Sequence, residues 1–147
     1  CHIIRVHRHA PGQNDQVSLL LNKVPYGTFY CSLIIEKKAD LIILTGGMSV
    51  DPDDVTPAAI RGTGASIVTY GVPVQPGNMF MMAYLQGTAL MGVPGCGMYY
   101  RTTILDAVLP RIFAGELLDK SYFTAMGEGG LCSHCETCRY PNCYFCR

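Results

Sequence analysis

The apolar positions fall into short runs separated by glycine, proline and carboxylate residues, and their spacing switches repeatedly between that of strands and that of helices. Residues 2–6 (His-Ile-Ile-Arg-Val) read as a short strand, followed by the turn signal Pro11-Gly12 and a helix over residues 15–22. Over residues 28–38, Phe29, Leu33 and Ile34 stand at helical spacing, and Lys37 and Lys38 fall in the last turn, where cations suit the helix dipole. That spacing predicts a second helix. Residues 41–44 (Leu-Ile-Ile-Leu) are continuously apolar and bounded by Asp40 and by Gly46-Gly47, the pattern of a strand covered on both faces.

Further along, Thr56 followed by Pro57 predicts a helix running to Arg61, with Thr56 as its cap and proline at its first position. Residues 66–74, 79–85 and 88–93 read as strands, the last two joined as a hairpin across Gln86-Gly87. From 98 to 113, apolar residues at 98, 99, 104, 105, 108, 109, 112 and 113 mark one helical face, with Pro110 as a kink or late break. Met79, Met81, Met82, Tyr99 and Tyr100 read as core filling, and His7 and His9 as surface or packing residues on a strand. Strands alternating with helices around one fully apolar strand predict a layered α/β sheet.

Composition narrows the class. At 147 residues, 49% hydrophobic and 15% charged, with mean hydropathy +0.21, the chain is one domain's worth of sequence and too apolar for disorder. Eleven basic residues cancel eleven acidic ones, which removes the footprint of a nonspecific nucleic-acid or anionic-membrane binder. No run approaches the roughly 20 apolar residues that span a bilayer. A soluble protein without membrane or nucleic-acid partners is expected. Of the eight cysteines, five lie between Cys132 and Cys146, and only Cys1, Cys31 and Cys96 lie elsewhere. A secreted disulfide scaffold would spread them, so the cytoplasm is the expected compartment. The sequence starts at Cys1, inside what already reads as a strand, so further residues upstream are expected.

The candidate chemistry begins at Thr45-Gly46-Gly47, placed at the carboxyl end of the buried strand, where ligands of α/β sheets bind. Glycines let the chain turn and let a ligand approach main-chain N–H groups, Thr45 and Ser49 add hydroxyls, and the helix near Thr56 brings a positive end. An anion suits such a loop; a bare strand-to-helix turn explains it equally well. Asp51, Asp53 and Asp54 serve either as capping carboxylates or as ligands of a magnesium ion shared with a phosphate. Pro76-Gly77 and Pro94-Gly95-Cys96-Gly97 end two further strands, the second opening onto a helix at Met98, so three loops are expected to converge on one pocket.

In order and spacing, the segments Asp-Leu-Ile-Ile-Leu-Thr-Gly-Gly-Met-Ser-Val-Asp-Pro-Asp-Asp-Val-Thr-Pro at 40–57, Val-Gln-Pro-Gly at 74–77 and Met-Gly-Val-Pro-Gly at 91–95 resemble the molybdopterin-binding domain of molybdenum-cofactor biosynthesis proteins. The resemblance covers residues 40–116, with Val93 where leucine is usual, Met48 where some members carry threonine, and Cys96-Gly97 in place of Asn-Pro. It implies a three-layer α/β/α domain with a mostly parallel, mixed sheet, often trimeric, that binds molybdopterin and its phosphate. By position, Thr45, Gly46, Gly47, Met48, Ser49 and Asp51 line the cofactor pocket, Asp54 is the catalytic or metal-handling carboxylate, and Pro76, Gly77, Pro94 and Gly95 form the opposite rim. The family's opening strand has no equivalent before His2; residues 2–15 resemble its second strand and turn.

The last segment, Cys132-x2-Cys135-x2-Cys138-x4-Cys143-x2-Cys146 with His134 embedded, spaces thiols as metal ligands are spaced. Its opening resembles a ferredoxin-type run, and zinc or an iron–sulfur cluster is equally defensible; spare thiols on a flexible tail are the bland alternative. Gly127-Glu128-Gly129-Gly130 reads as a hinge, which divides the chain into a domain of residues 1–126 and a cysteine-rich tail of 127–147. The functional expectation is a molybdopterin-binding protein of cofactor biosynthesis, delivery or sensing. Two alternatives stand beside it. One is magnesium-dependent nucleotidyl transfer or metal insertion on the pterin; the other is an interaction module that docks a molybdoenzyme through the tail.

Overall fold

The structure is a computed structural model that describes residues 2–6, 17–20, 39–48, 51 and 53–147, the first two segments as strand backbone. Six strands form one sheet: β1 (His2–Val6), β2 (Val17–Leu20), β3 (Leu41–Thr45), β4 (Ser66–Tyr70), β5 (Met81–Leu85) and β6 (Thr88–Val93), in the order β2-β1-β3-β6-β5-β4. The sheet is mixed. Among the described strands β3 and β6 run parallel, and every other neighbouring pair is antiparallel. Among the described residues three α-helices accompany it: α1 (Thr56–Gly62), α2 (Ile104–Phe113) and α3 (Lys120–Ala125).

The alternation of side chains along β3 explains the layering. Leu41 and Ile43 join one apolar cluster with Met82, Met91, Val93, and Ile104, Val108 and Ile112 of α2. Ile42 and Leu44 join the other, with Met81, Ala83, Leu90, and Ala59 and Ile60 of α1. Each face of the strand is therefore covered by a different helix, and the three-layer α/β/α expectation is met. The sheet is mixed as expected but not mostly parallel, since among the described strands one neighbouring pair in five is parallel. Phe80 is fully buried, and its ring centroid lies 5.9 Å from that of Phe123 in α3. No helix among the described residues is long and apolar enough to cross a membrane.

Several expectations are corrected. The helix expected over residues 15–22 is strand β2, because Val17 to Leu20 pair with β1 (Val17 opposite Val6, Leu20 opposite Ile3) and the ladder satisfies their backbone. The run 66–74 ends as a strand at Tyr70, since Gly71 turns the chain with φ 86°. The helix expected from Met98 starts only at Ile104: Gly95–Met98 is a 3-10 turn, and Met98 and Tyr99 are 78% and 81% exposed. Tyr99 and Tyr100 are thus surface residues and not core filling, whereas Met81 and Met82 are buried as expected. The helix runs through Pro110 to Phe113, and the hairpin across Gln86-Gly87 is present. The helix expected over 28–38, together with His7, His9 and Ser49, lies outside the described residues.

Candidate functional site at the sheet edge

Strand register brings the three glycine loops to one edge. Thr45 lies opposite Val93 in the parallel pair β3 and β6, while Met81 lies opposite both Gly92 and Tyr70. The connections that follow β3, β4 and β6 therefore leave the sheet at the same edge, those after β3 and β6 side by side and that after β4 beyond the intervening β5.

The first loop is held by the protein's own atoms. Gly46 and Gly47 both adopt left-handed backbone, with φ of 83° and 61°. The Thr56 hydroxyl donates to the Gly46 carbonyl at 2.8 Å, and a Cβ on Gly47 would lie 2.9 Å from that hydroxyl. Thr56 is consequently not the helix cap expected of it: it is the first helical residue, behind Val55, and its side chain reaches back to tie the loop to α1. Asp54 is half-buried with Oδ1 close over Gly47, 3.7 Å from where a Cβ would stand. Asp51 accepts the Asp53 N–H at 3.0 Å, so its carboxylate shapes the turn ahead of α1 and does not cap the helix, whose first turn holds no acidic residue; Asp53 is exposed. Thr45 is half-buried at the strand end. Met48 lies in the core, 1% exposed, where a Cβ on Gly92 would come within 2.7 Å of its sulfur. The side chain of Met48 thus belongs to the packing beneath the loop.

The opposite rim divides in two. Gly77 has φ 121° and sits under α2, where a Cβ would fall 2.5 Å from Ile104 Cγ2; the Ile104 N–H donates to the Pro76 carbonyl at 3.3 Å. This loop is packed against the helix. Gly95, in contrast, is exposed and a Cβ there would meet nothing within 4 Å, while Pro94 beside it is buried. The start of α2 is not an anion site either: Thr103 Oγ1 accepts the Leu105 N–H at 3.2 Å, and Asp106 accepts the Thr103 N–H at 2.7 Å, so its own side chains cap it.

The cysteine tail docks against this rim. The Gln75 N–H donates to the Gly130 carbonyl at 2.5 Å, and the Cys132 N–H to the Gln75 carbonyl at 2.8 Å. The segment expected as a hinge is a fitted joint: Gly129 and Gly130 are buried, and a Cβ on either would collide with the Tyr144 or Pro73 carbonyl. Phe145 is 5% exposed within the apolar cluster of α2. Between the tail and residues 99–102 lies a cavity of about 310 Å³, with Cys132, Cys135, Cys138 and Cys143 on its wall beside His134, whose ring packs 5.3 Å from that of Tyr100.

The thiols differ sharply. The Thr102 hydroxyl, 3.1 Å from Cys138 Sγ, holds that thiol below its ordinary value, helped by the Tyr140 N–H. Burial, with Asp106 and the neighbouring Cys143 and Cys132, pushes Cys146 up to about 12. The bond to Thr102 spans 36 residues of chain, and no spacing in the sequence signals it. Among the described residues no group of three His, Cys, Asp or Glu side chains stands where it could hold a metal ion. Neither the five tail thiols nor the three aspartates form such a group among the described residues.

The fold is that of a layered α/β protein with three glycine-bearing loops at one edge of its sheet, at the carboxyl ends of the parallel strands β3 and β6. Residues 29–114 match the family described as the probable molybdopterin binding domain, more than half of the chain, and the protein belongs to that family. The match spans all three loops and stops short of the cysteine tail. No curated protein matches the chain.

Proposed function

We propose that the protein binds molybdopterin across the ends of β3 and β6 and serves in the biosynthesis, delivery or sensing of the molybdenum cofactor. The observation that carries this reading is the convergence of the three loops on one sheet edge, with Thr45 in register with Val93. The residues fit such a ligand: Gly46 and Gly47 turn the main chain without a Cβ, and Gly95 leaves space that the protein does not fill. Thr45, Gly46 and Gly47 would take the phosphate end, and Pro94 and Gly95 the facing rim. Ser49 joins the set by resemblance. Free thiols at the six described cysteines suit a reducing compartment such as the cytoplasm. The homo-oligomer rests on family likeness.

Asp54 supports a second reading, in which its carboxylate and a divalent cation promote nucleotidyl transfer to the bound phosphate. One experiment separates the two. Purified protein is expected to bind molybdopterin at one site per chain, and Asp54→Ala to weaken binding by about ten-fold or less if the residue only shapes the loop. Magnesium-dependent turnover of ATP, lost in Asp54→Ala, favours the enzyme. A folded chain that takes up no pterin refutes both.

A further inference from the structure

The thiol-lined cavity has none of the proposed glycine-loop residues in its wall. Cys135 and Cys138 flank a bend at Glu136-Thr137, and both exposed thiols border the same space. Thr102 is buried, one residue ahead of the helix cap Thr103, so its hydroxyl is held fixed 3.1 Å from Cys138 Sγ. When that sulfur is a thiolate the hydroxyl donates to it. Arg101 and Arg139 line the cavity as well. Its volume, about 310 Å³, suits a small molecule far better than a single ion. Two thiols at two-residue spacing, one of them held by a donor, form the arrangement of dithiol exchange.

We propose that the tail carries a thiol–disulfide exchange site for small, carboxylate-bearing disulfides, with Cys138 as the attacking thiolate and Cys135 as the resolving thiol. The guanidinium groups of Arg101 and Arg139 pair with the carboxylates of the substrate. The Cys138 thiolate attacks one sulfur of the disulfide, whose S–S bond breaks. One thiolate leaves and takes a proton from water, and a mixed disulfide remains on Cys138. Cys135 then gives its proton to water and attacks the Cys138 sulfur, expelling the second thiolate. The substrate is reduced to two thiols, and the Cys135–Cys138 dithiol is oxidised to a disulfide by the same two electrons. Thr102 is a positioning residue. Cys146 takes no part, since it is not on the cavity wall and is half-buried against the apolar cluster of α2.

The test uses the full chain, reduced and treated with a chelator, with glutathione disulfide as the probe and mass spectrometry of quenched peptides as the readout. The adduct is expected first on Cys138, followed by a Cys135–Cys138 disulfide. Cys135→Ser should trap the adduct on Cys138, and Cys138→Ser should slow the reaction about ten-fold or more. Thr102→Val is expected to slow it roughly 3- to 10-fold at neutral pH, through loss of the thiolate's donor, and Thr102→Ser to restore it. Cys146→Ser should react at the native rate. Adducts spread evenly over the cavity thiols would overturn the proposal, as would a Cys135→Ser protein that accumulates none on Cys138. A metal ion held stoichiometrically by these thiols, with no exchange after its removal, would overturn it too.

Discussion

The sheet edge and the tail junction are both rich in glycine, yet the glycines are there for different reasons. At the edge, Gly47 and Gly77 lack a Cβ because Thr56 and Ile104 occupy the space, whereas Gly95 opens onto nothing within 4 Å. At the junction, Gly129 and Gly130 are pressed against carbonyls of Tyr144 and Pro73, so a motif that reads as flexible is a docking surface. Glycine reports close approach, and only the structure says of what. A ligand is best sought where the protein leaves the gap open, and that criterion selects Gly95.

The largest effect follows from Gly77. Gly77→Ala places a methyl group against Ile104 in a left-handed backbone, a combination expected to cost about 2–4 kcal/mol and many degrees of Tm. Gly95→Ala should stay within about 0.5 kcal/mol. Thermal denaturation of the pair checks this, and equal losses would erase the distinction between a packed and an open rim. An effect of similar size is expected at the junction: Phe145→Ala removes a ring from the cluster of α2 and should cost about 3 kcal/mol. The tail should then become sensitive to limited proteolysis while residues 39–126 stay protected. A tail cut equally fast in the native chain would contradict the docking.

Inside the tail, pH sharpens the comparison further. Alkylation requires the thiolate, so a lowered value gives more reactive sulfur at a given pH and a raised value gives less. Thr102 lowers Cys138, and burial raises Cys146 to about 12. Iodoacetamide should therefore label Cys138 first as pH rises from acidic to neutral, and Cys146 only in strongly alkaline solution or after unfolding. The same shift means that the folded chain favours the protonated Cys146. That contribution to stability is full below the ordinary value of 9.0 and lost as pH climbs through about 12. Equal labelling of the two thiols would contradict the assignment.

Much of the sheet was legible because its signals are local. Residues 41–44 declare a strand buried on both faces, and Gln86-Gly87 between two apolar runs declares a hairpin. The order Thr-Gly-Gly, Pro-Gly, Pro-Gly was legible as a motif, and strand register brings those loops to one edge. What was not legible depends on distant partners. Residues 17–20 are a strand only because β1 pairs with them, and Thr56 turns to Gly46 instead of capping its helix because the loop folds back over α1. Spacing alone counted five equivalent thiols. In the fold four of them line a cavity wall and Cys146 does not, and Thr102, 36 positions away in the chain, singles out Cys138.

The most direct measurement is the affinity of the native chain and of Gly95→Val for molybdopterin, followed by pterin fluorescence with the fold monitored by circular dichroism. The native chain is expected to bind one pterin per chain, and Gly95→Val to keep the native spectrum and melting temperature while losing about ten-fold or more in affinity, as the side chain fills the open rim. Undiminished binding by a folded Gly95→Val protein would place the ligand elsewhere and contradict the account of the sheet edge.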